Sequence, residues 1–239
     1  MGLSKNHLKL ITSLRQKKYR QKHEMFVVEG IKVVNEFLNS KFECHLLFSS
    51  DPNFQSHHEF IEISEDELKK ASHLVTPNKV LGVFKIPKES DRVQGFVLAL
   101  DDINDPGNLG TIIRLCDWFG VDQLICSNQT VDCYNSKVVQ ASMGSLTRVN
   151  ILYTDLGEYL SESDQSIFIA DMDGENVYRS ELPKQGILVM GNEANGISDS
   201  IRAKATHVLS IPRFGDLQKT ESLNVATATA ILLSEFRRK

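Results

Sequence analysis

The sequence lacks an apolar run long enough to cross a membrane. No segment approaches the roughly 20 consecutive apolar residues that a spanning helix needs, and the basic N-terminus has no apolar core of the signal-peptide type. Apolar residues make up 41% of the chain and charged residues 24%, which is typical of soluble globular proteins. We therefore expect a cytoplasmic protein that does not associate with membranes.

Cysteine and histidine show no pattern of a disulfide framework or a metal site. The four cysteines have no Cys-x-x-Cys spacing, and Cys116 and Cys126 lie in apolar segments, as small buried residues do. The seven histidines are scattered. His57 and His58 are adjacent, but a solvated strand edge explains them better than metal ligation. We expect no bound metal.

Charge is distributed unevenly along the chain. Residues 1 to 22 contain seven Lys and Arg and no Asp or Glu, whereas the whole chain has a net charge of −4. A basic end on an acidic protein is consistent with a polyanion as partner. A solvated helix face is the simpler explanation of such a cluster taken alone, so the cluster gains weight only if other features indicate nucleic acid.

The apolar pattern changes near residue 90, which indicates two domains. The first part predicts a small α/β unit, with a helix over residues 6–21, a helix after Gly30, a capping box at Ser64, and strands at 25–29, 44–48, 60–63 and 80–86. A polar stretch that contains Pro87 follows and is a linker candidate. We place the first domain at 1–87, the linker at 88–95 and the second domain at 96–239.

The second part alternates continuous apolar strands with helices. Strands are predicted at 95–100, 123–126, 148–152, 166–170, 187–190 and 207–211, with helices from about Leu109 to Phe119 and from near Ser222. This alternation favours an α/β/α domain with a parallel sheet covered on both faces. Ligands of such sheets bind outside the carboxyl ends of the strands, and three polar loops lie there.

Each of the three loops has polar side chains that could bind a ligand or could serve only the local structure. The first, Asn104 to Gly110, leads to Arg114, whose guanidinium suits phosphate but could instead pair with Asp117 or Asp102. The second, Met190 to Gly196, has glycines that let the backbone approach a ligand closely, and its Glu193 could orient Arg114 or only bond loop amides. The third runs from Ile211 to Ala226, where Ser222 could be a helix N-cap and Asn224 could bond the loop.

Taken together, the three loops resemble the motifs of the SpoU/TrmH group of the SPOUT superfamily, S-adenosylmethionine-dependent RNA ribose methyltransferases. The resemblance covers residues 96–239: Asn108-x-Gly110 ending in Arg114, then Met-Gly-Asn-Glu-Ala-Asn-Gly-Ile from Met190, then Ile-Pro-Arg-Phe-Gly from Ile211 with Ser-Leu-Asn-Val-Ala from Ser222. More loosely, residues 15–20 and 26–30 resemble the substrate-binding domain often attached to this group.

The resemblance implies a trefoil knot in the second domain, a homodimer, and S-adenosyl-L-methionine bound in the knot. It further implies three sets of site residues. The catalytic residues are Asn108, Arg114, Glu193, Ser222 and Asn224. The cofactor lies against Met190, Gly191, Gly196, Ile211 and Leu223. The small N-terminal α/β domain binds RNA through Arg15, Lys17, Lys18 and Arg20.

The chain departs from the group's pattern at two places. The loop from Asp216 to Glu221 is about three residues longer than the group's pattern leads us to expect, and Ala226 stands where Ser is common. The longer loop puts its own path in doubt, whereas Ser222 and Asn224 remain in register.

The predicted reaction is methyl transfer to a ribose 2'-hydroxyl of structured RNA, with ribosomal RNA preferred over transfer RNA. We assign Arg114 to binding the adjacent phosphate and the developing alkoxide, because guanidinium holds its proton too strongly for a good base. Two alternatives stay open: methylation of a base, as in another SPOUT group, and an inactive RNA-binding assembly factor.

Overall fold

A computed structural model describes residues 2–88, 93, 95–215 and 222–238. The helices are α1 (Lys5–Ser13), α2 (Lys17–His23), α3 (Ile31–Leu38), α4 (Glu65–Ala71), α5 (Pro106–Phe119), α6 (Ser136–Ser142), α7 (Leu156–Ser161), α8 (Asp199–Arg202) and α9 (Val225–Arg237). The strands are β1 (Met25–Glu29), β2 (Cys44–Ser49), β3 (Ile61–Glu62), β4 (Val80–Lys85), β5 (Phe96–Asp101), β6 (Gln123–Ser127), β7 (Ile151–Thr154), β8 (Ile167–Asn176), β9 (Gly186–Gly191) and β10 (His207–Ser210). Among the described residues, no helix combines the length and apolarity that crossing a membrane requires.

The chain forms two compact units, and the first combines residues up to Lys88 with residues 132–148. Its four-stranded sheet has the order β1-β4-β2-β3, with β1 and β2 antiparallel to β4. Helix α6 joins this unit by packing on β1, and Tyr134, two residues before the helix, places its ring 4.7 Å from that of Phe26. The sequence places 132–148 in the second domain, because nothing in its local pattern shows this long-range packing.

The predicted helix over residues 6–21 is two helices, α1 and α2, with a break between them. The side chain of Arg20, 3% exposed, explains the break. Its Nη1 donates to the carbonyl oxygens of Leu14 and Arg15, both at 2.9 Å, and its Nε and Nη2 donate to Asp132 at 2.8 and 2.6 Å. Arg20 therefore satisfies the carbonyls that the break leaves free. Its predicted RNA contact is replaced by this structural role.

The second unit contains the six-stranded sheet, in the order β10-β8-β9-β5-β6-β7, and neighbouring strands in its described part are all parallel. Strands β5 and β9 are fully buried at their centres, as the continuous apolar runs predict. Helix α9 covers one face, where Phe236 lies 4.9 Å from the ring of Phe96. The predicted parallel α/β sheet is therefore confirmed.

Three predicted boundaries in this unit are wrong. The strand predicted at 148–152 is Ile151–Thr154, because Arg148 ends a short 3-10 helix and pairs with Glu36 at 2.6 Å. The helix predicted from Ser222 begins at Val225. Strand β8 extends beyond the predicted end at 170, after a shift in its register with β10.

The extended loop over residues 216–221 lies outside the described residues, as do 89–92 and 94 of the predicted linker. The loop belongs to the C-terminal segment that the resemblance expects to thread the knot. The trefoil knot therefore stays a prediction.

Candidate active site

The three polar loops of the second unit meet through their side chains. Strands β5 and β9 are neighbours, and their last residues, Asp101 and Gly191, are paired. The Nδ2 of Asn224 donates to Oδ1 of Asn108 at 2.9 Å, and the Nδ2 of Asn108 donates to Oε1 of Glu193 at 2.6 Å. One residue from each loop thus contributes to a continuous hydrogen-bond chain, which is the convergence that the sequence predicts.

Asn108 is positioned by the start of α5. Asp105 is the N-cap, and its Oδ1 accepts a hydrogen bond of 2.8 Å from the backbone N–H of Asn108. Pro106 occupies the first helical position, where its fixed φ is compatible with the helix and no N–H is needed. The first turn of α5 therefore carries Asn108 at its third residue, with its side-chain amide free to bond the other two loops.

Asn224 is positioned by the start of α9. Its Oδ1 accepts from the backbone N–H groups of Ala226 and Thr227, at 3.0 and 3.2 Å, so Asn224 is the N-cap of α9. These two donors identify Oδ1 as the oxygen and leave the NH₂ group for Asn108. Ser222 lies before the cap and is exposed. The alternative that Ser222 is the N-cap is therefore wrong.

Glu193 lies in a loop that the hydrogen bonds of Asn192 close, a role of Asn192 that is not among the predictions from sequence. Asn192 pairs with Gly196 through two backbone hydrogen bonds of 2.9 Å, and its Oδ1 accepts from the N–H groups of Ala194 and Asn195. The Nδ2 of Asn192 donates to the carbonyl oxygen of Asp102 at 2.6 Å. The Asn-Glu-Ala-Asn-Gly loop is thereby closed on itself and tied to the loop after β5. An Asn that opens such a loop is a known turn former, which is the signal that could have identified it.

Arg114 is exposed on α5 and makes no hydrogen bond or ion pair with any residue that the structure describes. The alternative pairing with Asp102 or Asp117 is not observed. The structure does not join Arg114 to the Asn224–Asn108–Glu193 chain either. Its guanidinium is therefore available for an anionic ligand.

The predicted cofactor residues occupy loop and strand ends around the same edge. Met190 and Gly191 end β9, and a Cβ on Gly191 would lie 2.4 Å from the carbonyl carbon of Gly196, so glycine is required there. Gly196 has a φ of +68° and faces open space. Ile211 follows β10, and Leu223 precedes α9 and is 48% exposed. Exposed backbone beside apolar side chains fits an adenosyl group.

A cavity of about 530 Å³ lies at the carboxyl ends of β5, β6 and β7. Its walls come from the ends of those strands and from the loop between Asn192 and Ile201. Of the predicted cofactor residues, only Gly196 lines it. No sequence pattern predicts this cavity.

A metal site needs grouped ligands, and a reactive thiol at Cys116 or Cys126 needs a pKa that is not raised. No three His, Cys, Asp or Glu side chains in the described part of the chain are grouped as metal ligands. Burial raises the pKa of the Cys116 and Cys126 thiols above its ordinary value. These cysteines therefore stay protonated and are poor nucleophiles.

Two family models cover most of the chain. The SpoU rRNA Methylase family matches residues 95–234, and the MRM3-like substrate binding domain matches residues 5–82. The chain is 30% identical to the 23S rRNA (guanosine(2553)-2'-O)-methyltransferase RlmP of Bacillus subtilis, over 94% of this chain and 93% of that protein.

The chain is also similar to solved structures of the same family. A TrmH-family protein from Porphyromonas gingivalis is 38% identical, with a TM-score of 0.88 over 99% of both chains. An AdoMet-bound rRNA methyltransferase from Sinorhizobium meliloti is 27% identical, with a TM-score of 0.85 over 99% of this chain and 96% of that one.

Proposed function

The chain belongs to the SpoU rRNA methylase family, and we propose that it transfers the methyl group of S-adenosyl-L-methionine to a ribose 2'-hydroxyl of ribosomal RNA. The observation that carries the proposal is the hydrogen-bond chain Asn224–Asn108–Glu193. Arg114 supports it, because its side chain has no hydrogen-bond or ion-pair partner among the described residues. Transfer RNA is the less favoured substrate, since the similar protein from Bacillus subtilis is named for 23S rRNA.

The residues around the predicted cofactor cradle fit this activity. Backbone at Met190, Gly191, Gly196, Ile211 and Leu223 would hold the adenosyl group, while the side chain of Met190 is buried in the core. When bound, the cofactor supplies a methyl group already activated by a sulfonium. The protein must then orient the 2'-hydroxyl and help its proton leave, and alignment alone contributes about 7–11 kcal/mol in favourable cases.

The site residues divide this work. Arg114 binds the phosphate next to the target ribose and stabilises the alkoxide that develops at O2'. Asn108, Glu193 and Asn224 hold the ribose in line. The O2'–C bond forms as the S–C bond breaks, and the proton leaves through Ser222 or the adjacent phosphate. Arg114 itself is a poor proton acceptor because the pKa of a guanidinium exceeds 12.

The first unit serves as the RNA-binding domain. Lys17 and Lys18 are exposed on α2. Arg15 is also exposed, although its Nη2 donates to the carbonyl oxygen of Ser72 at 2.5 Å. These three cations are the proposed phosphate contacts.

A cytoplasmic homodimer with a knotted second domain completes the proposal. Trp118, on α5, is 83% exposed, and so large an exposed aromatic side chain is typical of a subunit contact. Sedimentation of the purified protein tests the dimer, since a monomer at micromolar concentration would contradict it.

Mapping 2'-O-methyl positions in ribosomal RNA, from cells with and without this protein, tests the function. We expect one position to lose its methyl group in the deletion strain and to regain it with purified protein and cofactor. A methyl group found on a base would support the base-methylating alternative. Calorimetry with S-adenosylmethionine tests the alternative that the protein is an inactive assembly factor, because a site that no longer binds the cofactor gives no binding heat.

A further inference from the structure

None of the proposed catalytic residues lines the cavity at the carboxyl ends of β5, β6 and β7. Its volume of about 530 Å³ lies within the roughly 300–1,000 Å³ of small-ligand sites. It shares a wall with the candidate active site, because Asn192 and Asn195 line it while Glu193, between them in sequence, binds Asn108. Neighbouring Cα atoms are about 3.8 Å apart, so a group in the cavity is close to that site.

All charged side chains that line the cavity in the described part of the chain are negative. Three carboxylates face it, those of Asp101, Asp102 and Asp155, and none of the described lining residues is Lys, Arg or His. Phosphate is therefore excluded as the occupant. A ligand rich in N–H donors is favoured instead.

Each carboxylate also keeps an oxygen available. One oxygen accepts from a neighbour: from the Ser198 N–H at Asp101, from Asn104 at Asp102, and from the Glu158 N–H at Asp155, where it caps α7. The second oxygen of each has no hydrogen-bond partner among the residues that the structure describes. Each carboxylate is thus held in place by one oxygen, and its other oxygen can accept a hydrogen bond from a ligand.

We propose that this cavity receives the base of the target nucleotide and selects guanine. The inference rests on the proposed function. The Watson–Crick edge of guanine places two adjacent donors, N1–H and the N2 amino group, where a carboxylate accepts both. Adenine and cytosine offer one amino group beside an acceptor, and uracil offers one N–H between two acceptors. Leu156 and Ile201 supply apolar contact for the flat face.

The variants that test this keep the local structure. Asp102 has a φ of +61°, a conformation that Asn tolerates as well as Asp, and Asn also replaces Asp as an N-cap at residue 155. The test is therefore the double variant Asp102→Asn/Asp155→Asn. Asp164→Asn is the matched control, because Asp164 is exposed and precedes β8, at the amino edge of the sheet.

The substrate is the ribosomal RNA fragment that mapping identifies, made with guanosine or with inosine, which lacks the N2 amino group, at the methylated position. We expect inosine to lower kcat/KM of the wild type about 10–100-fold, as for a lost hydrogen bond to a charged group. The double variant should lose a similar factor on guanosine and discriminate little between the two RNAs. The control should behave as the wild type.

Three results would overturn the inference while the proposed function stands: a mapped nucleotide other than guanosine, equal rates on both RNAs by the wild type, or full activity of the double variant. Calorimetry with S-adenosylmethionine tests whether the cavity instead holds part of the cofactor. If the double variant loses cofactor affinity, the cavity holds part of the cofactor and the inference is wrong. A wild type that methylates no RNA would instead refute the proposed function.

Discussion

The side-chain amide of Asn224 donates a hydrogen bond of 2.9 Å to the side-chain oxygen of Asn108, 116 residues earlier in the chain. The same Asn224 caps α9 with its oxygen. One side chain therefore begins a helix and organises the candidate active site, so the two roles need variants that separate them.

Asn224→Asp should retain stability and lose activity. Asp is as good an N-cap as Asn, but it presents an oxygen to Asn108 where Asn224 presents its NH₂ group. The hydrogen bond between residues 224 and 108 is therefore lost, and residue 224 is no longer linked to Glu193. We expect the free energy of unfolding to stay close to that of the wild type in urea titrations. Turnover of RNA should fall on the order of 10²-fold, as for a misaligned substrate.

Asn224→Ala is the companion variant and should also lose about 1 kcal/mol of stability, because the cap is removed. Normal turnover by Asn224→Asp would mean that Asn224 serves only the helix.

Arg114→Lys should reduce methylation without affecting the fold. Arg114 is exposed and has no partner among the described residues, so stability should change by no more than about 0.5 kcal/mol. Lys keeps the charge but loses the planar donor fork that binds phosphate in two places. We expect a lower kcat at an unchanged calorimetric Kd for S-adenosylmethionine.

Arg179→Lys, at another exposed arginine of the second unit, is the control for Arg114→Lys and should be fully active. Full turnover by Arg114→Lys would show that the planar guanidinium group is not needed for methyl transfer.

The features that could be predicted from sequence are those set by neighbouring residues or by a regular apolar pattern. The strands of the second unit are buried on both faces, and they read as continuous apolar runs. Because parallel strands end at one edge, the meeting of Asn108, Glu193 and Asn224 followed from their positions after strands. Asn192 escaped notice because its partner is a backbone carbonyl, that of Asp102, 90 residues away.

The first unit shows why other features could not be predicted. The break between α1 and α2 contains neither Pro nor Gly, and its carbonyls are satisfied by a side chain from the next helix, Arg20. That arginine is in turn paired with Asp132, 112 residues away. A positive charge in sequence therefore suggested a surface contact, whereas tertiary packing buried it.

Lys17→Ala/Lys18→Ala should weaken RNA binding without changing stability. Both lysines are exposed on α2, and each lost phosphate contact should lower the slope of log K against log salt by about 0.7–0.9. A fluorescence titration over a salt series measures this. Lys69→Ala/Lys70→Ala, on exposed positions of α4, is the matched control. Equal slopes for the two double variants would support the solvated-face explanation.

Arg20→Ala should instead destabilise the first unit. The substitution removes the Arg20 donors from Oδ2 of Asp132 and from the carbonyl oxygens of Leu14 and Arg15. Breaking a buried ion pair from one side costs about 3–5 kcal/mol, which urea unfolding would detect. A stability loss below about 1 kcal/mol, a range typical of exposed pairs, would contradict the structural role.

His73 should make the first unit sensitive to acid. Burial lowers the pKa of His73 to about 4 from its ordinary 6.5, although its Nε2 lies 2.8 Å from the carbonyl oxygen of Ile11. Between those two pH values the unfolded chain binds a proton that the folded protein does not, so the free energy of unfolding falls as pH decreases through this window.

Glu29 acts in the opposite direction and must be separated from His73. Burial raises the pKa of Glu29, even though its carboxylate accepts hydrogen bonds from the Ser72 hydroxyl and the His73 backbone N–H. Its contribution to stability is therefore lost as pH rises through the folded-state pKa. Because Glu29 is present in the wild type and in a His73→Leu variant alike, their difference isolates His73.

We expect the wild type to lose more stability than His73→Leu between pH 7 and pH 5, measured by urea unfolding at both values. Leu removes the titrating ring, and the carbonyl oxygen of Ile11 still accepts from the Leu14 N–H at 3.2 Å. His45→Leu, at an exposed position of β2, should retain the pH dependence of the wild type. Parallel losses in the wild type and His73→Leu would show that the His73 ring takes up its proton as readily folded as unfolded, and that its burial does not govern the acid response.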